Sequence, residues 1–246
     1  MKMVDSFESS GAWLFRHRSF MPLCAVPLLV VGLLQFHYIQ DSHFKTELWA
    51  VFCFLVSLSG LAVRVFTIGF VPKRTSGRNT RDQVAASLNT TGIYSQVRHP
   101  LYLGNYLAVL GFALFFHSPW IPIVLSCVYA LYYERIMFAE EKFLGERFGQ
   151  DFEQWAAGTP AFLPRFRGWV PPSKSFCWRT ALRREYTGLL LVAGGFASLH
   201  VLADSLVEGH LQIDRQWAGV FISAIVIYLL LRTLKKHTKL LRVEGR

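Results

Sequence analysis

Apolar residues gather into six long runs, at 20–36, 48–70, 101–116, 120–138, 187–203 and 217–231. A helix needs about 20 apolar residues to cross a hydrocarbon core of about 30 Å, so each run is a candidate membrane span. The third and fifth are near the short limit, which makes the expected count five to six. Only His117-Ser118-Pro119 separates the third run from the fourth, which predicts a tight antiparallel hairpin. The expected fold class is all-α: a polytopic membrane helix bundle with about six transmembrane helices.

Composition agrees with that pattern. Of the 246 residues 52% are hydrophobic and 15% aromatic, against 17% charged, and the mean hydropathy is +0.32. Such a chain is too apolar for a disordered coil and holds more long apolar segments than one soluble core would bury. The N-terminal stretch, with Asp5 and Glu8 and no small-residue cleavage pattern, does not read as a signal peptide.

The net charge of +10 is placed unevenly. Of the 26 Lys and Arg, Lys2, Arg16 and Arg18 precede the first run. Lys73, Arg74, Arg78, Arg81 and Arg98 lie between the second and third, eight more between the fourth and fifth, and six in the tail from Arg232. The opposite loops hold only Lys45 and Arg215. The positive-inside rule therefore puts both termini and both long connectors in the cytoplasm. It assigns the basic charge to anionic headgroups rather than to nucleic acid. Asn89-Thr90-Thr91 has the form of a glycosylation acceptor but is expected on the unmodified side.

Cysteine and histidine offer little. Cys24, Cys53 and Cys127 sit in apolar runs, no pair has C-x-x-C spacing, and the eight histidines are scattered, so no metal site is expected. The chain has no P-loop, no G-x-S-x-G and no dinucleotide fingerprint.

The chemistry-bearing residues fall in the two long connectors. Pro100 suits the first turn of a helix, because its missing N–H would be unpaired there, and it pushes His99 towards extended backbone. Arg98 and His99 thus stand at a helix N-terminus, where dipole and unpaired N–H groups favour an anion. Two readings fit: an anion site, or a headgroup anchor with His99 as a simple cap. The fourth run is expected to continue as helix beyond the membrane to Gly149, carrying Arg135, Glu140 and Glu141. Glu140 lies about 100° around that helix from Glu141, so the two carboxylates are not expected to meet one small group unless the helix unwinds. This stretch is either a functional site at the end of a span or a salt-bridged interfacial surface.

The two connectors together resemble the isoprenylcysteine carboxyl methyltransferase and phospholipid methyltransferase family of integral membrane enzymes. The likeness rests on Thr90-Thr91-Gly92-Ile93-Tyr94, Arg98-His99-Pro100-Leu101-Tyr102-Leu103-Gly104 and Arg135 with Glu140-Glu141. It continues through Leu144, Phe148-Gly149, Phe152, Trp155 and Pro160 to Leu163-Pro164. It covers about residues 76–166. The resemblance implies an S-adenosyl-L-methionine site on the cytoplasmic face, with Asn79, Leu88, Asn89, Tyr94, His99, Pro100, Tyr102, Glu140 and Glu141 binding the cofactor. It implies catalytic roles for Arg135, Glu141 and Arg98, with Arg78, Arg98 and Arg135 binding the substrate. Two departures stand out: Phe138-Ala139 replaces an acidic run before the paired glutamates, and Ala86 aligns with a cofactor-contacting histidine.

The implied organisation is an N-terminal two-span unit (1–75), a methyltransferase core (76–168) and a C-terminal two-span unit with a basic tail (169–246), hinged near Pro171-Pro172. The basic connector favours an anionic oxygen of a membrane lipid as methyl acceptor. A lipid phosphate such as that of lipid A leads, which would place the protein in a bacterial inner membrane. A prenylcysteine carboxylate or a phosphatidylethanolamine nitrogen are the alternatives within the family. Outside it stand an NADPH-dependent sterol-type reductase, with Arg78 and Arg81 on the cofactor's 2′-phosphate, and a non-catalytic lipid-binding protein.

Overall fold

The computed structural model describes residues 3–18, 20, 25–72, 75, 84–243 and 245. Among them there are eight α-helices and no strand: α1 (Met3–His17), α2 (Val26–Leu34), α3 (His43–Phe70), α4 (Pro100–Leu114), α5 (Trp120–Phe148), α6 (Gln150–Gly158), α7 (Trp178–Glu208) and α8 (Arg215–His237). The all-α bundle expected from the hydropathy pattern is present.

Four helices, α3, α5, α7 and α8, are long and apolar enough to cross a membrane. At 1.5 Å per residue, α3 is about 42 Å long and α7 about 47 Å, so both outrun a core of about 30 Å. The span count is where structure and hydropathy differ. Within the first apolar run only the nine residues of α2 are described as helix, and α4 has 15 residues, about 22 Å. Summed hydropathy registers apolar residues whether or not the backbone stays helical. Here Pro119 and the left-handed His117 (φ 43°) turn the chain soon after α4 ends.

Small residues let α3 and α4 approach closely. A Cβ on Gly60 would stand 2.4 Å from the Gly104 carbonyl oxygen, and one on Gly111 would stand 2.4 Å from that of Cys53. Ser57 Oγ donates to the Ala108 carbonyl at 2.7 Å across the same seam. Without hydrophobic driving force between helices in lipid, such close packing and interhelical hydrogen bonding hold the pair. An ion pair ties this unit to α7: Arg64 Nε and Nη2 donate to both Glu185 oxygens, at 2.7 and 2.9 Å, and Nη1 bonds Asn105 Oδ1. α1 packs on α5, where Gly11 admits the Arg135 carbonyl and Phe15 is buried. As the sequence predicts, α5 runs on past its apolar part to Phe148, and Gly149, at φ 54°, ends it.

Candidate active site

The two connectors lie against each other, and their backbones pair. Arg98 N–H donates to the Pro160 carbonyl at 2.9 Å, His99 N–H to that of Ala161 at 3.1 Å and Arg165 N–H to that of Gln96 at 3.0 Å. Gly92, whose φ of 62° lies in the left-handed region that favours glycine, donates to the Val170 carbonyl at 2.8 Å. Trp155 Nε1 donates to the Tyr94 carbonyl at 3.1 Å. Segments 61 to 78 residues apart in sequence are thus fixed beneath the start of α4, where Pro100 takes the first helical position.

On this support stands a cluster of charges. Arg98 Nε and Nη2 donate to Glu141 Oε1 and Oε2 at 2.8 and 3.1 Å, while its Nη1 donates to the carbonyls of Ala156 and Thr159 at 2.8 and 2.6 Å. The His99 ring lies between two carboxylates: Nε2 is 2.9 Å from Glu141 Oε1 and Nδ1 is 3.4 Å from Glu140 Oε2. Tyr102 donates its hydroxyl to Glu140 Oε1 at 2.7 Å, and Arg18 Nη1 is 3.8 Å from that oxygen. Burial by itself would lower the His99 pKa, but the hydrogen bonds and charges of Glu140 and Glu141 outweigh it and hold the imidazolium above its ordinary range. The Tyr94 phenol is raised by burial and by the charge of Glu140, so it stays a neutral donor.

The cluster lines a cavity of about 360 Å³ bounded by α3, α4, α5, the start of α7 and the connectors. Leu88, Asn89, Tyr94, Arg98, His99, Pro100, Tyr102, Glu140 and Glu141, all singled out in the sequence, line it. Three expectations need amendment. Glu140 and Glu141 meet one small group after all without any unwinding of α5, because their side chains reach opposite edges of the His99 ring. Arg135 is not part of the lining: its Nη1 donates to Ser10 Oγ at 3.0 Å and its guanidinium lies 4.7 Å from the Phe7 ring centre. Helical periodicity puts Arg135 on a face of α5 that α1 covers. Arg98 lines the cavity, but four of its hydrogen bonds go to protein oxygens, so it braces the site more than it offers a hand to a ligand. Arg78 and Asn79 lie outside the described residues, and Ala86 is exposed and does not line the cavity.

The structure adds lining residues that sequence reasoning missed: Arg18, Arg64, Asn105, Tyr133, Arg184 and Glu185. One signal was available, an arginine inside one apolar run and a glutamate at the foot of another. Ionisable residues at membrane depth usually pair.

Residues 51–151 match the family model for phospholipid methyltransferase. The chain is 32% identical over 196 residues to the cobalt-zinc-cadmium resistance protein CzcN of Cupriavidus metallidurans, covering 76% of this chain and 85% of that one. It is 30% identical over 164 residues to the nickel-cobalt-cadmium resistance protein NccN of Alcaligenes xylosoxydans xylosoxydans, covering 66% and 68%. It is also 31% identical over 77 residues to the protein-S-isoprenylcysteine O-methyltransferase of Schizosaccharomyces pombe, covering 31% and 33%. This chain belongs to the phospholipid methyltransferase family. No solved structure matches it.

The family segment holds the central part of the site: α4, all of α5 and the connector between α3 and α4. As a membrane methyltransferase the protein requires a methyl donor, and the cavity brings together residues of that segment with Arg18, Arg184 and Glu185 from outside it.

Proposed function

We propose that the protein is an S-adenosyl-L-methionine-dependent O-methyltransferase acting from the cytoplasmic face on an anionic oxygen of a membrane lipid, with a lipid phosphate, such as that of lipid A, as the leading acceptor. The observation that carries this reading is the His99 ring held between Glu140 and Glu141 in a cavity also lined by Arg18, Arg64, Arg98 and Arg184.

The residues present suit the cofactor. The cavity is in the size range of small-molecule sites, from about 300 Å³ upward. Glu140 Oε2 meets His99 Nδ1 at 3.4 Å and, as a carboxylate oxygen, has acceptor capacity for an ammonium or a ribose hydroxyl as well. Tyr94 and Tyr102 supply ring faces suited to an adenine or a sulfonium. When bound, the cofactor supplies an electrophilic methyl group on sulfur.

The protein's task is then alignment. In the transfer an oxygen lone pair forms the new O–C bond as the C–S bond breaks, and the electron pair leaves with the sulfur as a neutral thioether. A phosphate oxygen is already deprotonated, so no general base is needed, and positioning and exclusion of water provide most of the acceleration. Arg98 fixes Glu141, Glu141 fixes His99, and Tyr102 fixes Glu140, so the cofactor side of the cavity is held before ligand arrives. The lining's four arginines, Arg18, Arg64, Arg98 and Arg184, with His99, outnumber Glu140, Glu141 and Glu185, a balance that favours an anionic acceptor.

Two relatives are named for resistance to cobalt, zinc, cadmium or nickel. Methylating a phosphate monoester removes negative charge from the lipid surface and weakens adsorption of divalent cations there. This gives lipid methylation a role in the same setting. The likeness to an isoprenylcysteine O-methyltransferase favours a second acceptor, a prenylcysteine carboxylate, which needs the same machinery.

The test uses purified protein in lipid nanodiscs with methyl-labelled cofactor, a total lipid extract and, separately, a prenylcysteine. Label in a phosphate ester, strongly reduced in Tyr102→Phe and Glu141→Gln, is the expected result. Label only in the prenylcysteine moves the acceptor. Binding of NADPH in place of the methyl donor would overturn the reading.

A further inference from the structure

The end of the bundle remote from the cavity carries a second group of chemically apt residues. His43 and Glu47 stand one turn apart at the start of α3, about 31 and 25 Å along that helix from Arg64. Asp204 lies in the final turns of α7. His43 Nε2 is 3.9 Å from Glu47 Oε1 and 3.7 Å from Asp204 Oδ2, and one ligand atom from each of the three residues lies within 4.8 Å of the others.

Two observations separate this group from an ordinary surface ion pair. Asp204 is 2% exposed, yet its Oδ2, turned towards His43, accepts no hydrogen bond among the described residues. A buried carboxylate oxygen without a donor is costly; the charges of His200 and His43 and the Tyr38 hydroxyl, which faces Asp204 as well as Glu208, offset only part of that cost. Glu47, in turn, is held in place from behind. His200 Nδ1 lies 3.2 Å from its Oε1, and Trp217 Nε1 donates to its Oε2 at 3.0 Å. His200 is itself 1% exposed and stacks on Trp217 with ring centres 4.3 Å apart. Donors that fix a carboxylate's orientation are the usual outer support of a metal-ligating group.

The structure assigns to His43, Glu47 and Asp204 a binding site for one divalent transition-metal ion of the zinc or cobalt class. An imidazole with two carboxylates suits such borderline ions, whereas Ca²⁺ and Mg²⁺ prefer oxygen ligands alone. Two carboxylates balance the ion's two positive charges, which would offset the remaining cost of burying Asp204. Ligand atoms around a four-coordinate zinc stand about 3.3 Å apart, as its bond lengths of about 2.0–2.1 Å require. Closing the present spacings to that value takes an inward movement of the carboxylates as well as of His43, whose side chain, 48% exposed, can admit the ion from water.

The experiment is Co²⁺ titration of tag-free, full-length protein in nanodiscs, followed by its d–d absorption, with Zn²⁺ as competitor. One Co²⁺ per chain with the intensity of a low-coordinate site, displaced by Zn²⁺, is expected. His43→Ala and Asp204→Asn should each weaken binding at least tenfold. Zn²⁺ should also raise the unfolding temperature of the wild type but not of either variant. No d–d band at saturating Co²⁺, unchanged affinity in His43→Ala, or binding of Ca²⁺ or Mg²⁺ alone would overturn the assignment. Should Asp204→Asn not fold, His43→Ala and the wild-type spectrum still decide, since His43 is the exposed ligand.

Discussion

Arg98 grips Glu141 with two parallel hydrogen bonds, Nε to Oε1 at 2.8 Å and Nη2 to Oε2 at 3.1 Å, across the gap between the start of α4 and the far end of α5. The same Glu141 Oε1 meets His99 Nε2, so one carboxylate fixes two consecutive residues of the connector. The pair is 17% and 25% exposed, so solvent screens it in part. Removing one partner should therefore cost less than the about 3–5 kcal/mol of a fully buried pair.

Glu141→Gln should lower methyl transfer roughly 30-fold, equivalent to about 2 kcal/mol of lost alignment. Arg98→Ala should cost a similar amount, and the double variant much less than the sum, giving a coupling of about 1–3 kcal/mol. Additive losses would mean that the two residues act separately.

His99 makes stability depend on pH. Its folded pKa lies above the ordinary value of 6.5, so its contribution is complete below about that pH and is lost as pH rises through the folded value. Thermal unfolding of the wild type and of His99→Gln should differ most in mild acid and converge in alkali. A gap that widened with rising pH would show the imidazole bound in its neutral form.

Arg135 tests the division between support and chemistry. Its side chain joins α1 through Ser10 and Phe7, so Arg135→Gln should remove about 1 kcal/mol and lower Tm by about 2–4 °C. Turnover at saturating substrate should stay within about twofold of wild type. A large fall in kcat at unchanged Tm would return this arginine to the reaction.

The α3–α4 seam should tolerate no added methyl group. Gly60→Ala places a Cβ 2.4 Å from the Gly104 carbonyl oxygen and 2.5 Å from the Ala108 nitrogen, and overpacking of this kind costs about 1–3 kcal/mol. Gly219→Ala in α8 meets nothing within 4 Å and should be neutral or stabilising by up to about 1 kcal/mol. Unfolding of both variants in nanodiscs separates steric contact from helix propensity.

Much of the site was legible in the chain. Hydropathy marks the helices, Pro100 marks where α4 begins, and Gly149 marks where α5 ends, because these are local properties of backbone and side chain. The motifs around Arg98-His99-Pro100 and Glu140-Glu141 lie in order along the sequence, so their meeting could be anticipated from a family likeness.

The remainder is long-range. Periodicity gives the face of α5 that Arg135 occupies, but only packing decides that α1 covers this face while Glu140 and Glu141 look into the cavity. Hydropathy counts apolar residues without their backbone, so it gives the number of spans only approximately; four described helices are long enough to cross a membrane. Arg64 and Glu185 are 121 residues apart, and His43 and Asp204 are 161 apart. Arg64 and Glu185 stand out as charges at the apolar runs, but the sequence does not say what either pairs with. His43 and Asp204 give no such signal, because each pairing depends on which ends of α3 and α7 are brought side by side. By itself the sequence determined an apolar helical bundle with two charged, motif-bearing connectors. Only the tertiary structure decided which charges face one another, since a charge's partner in a membrane bundle is set by helix topology and depth rather than by its neighbours in the chain.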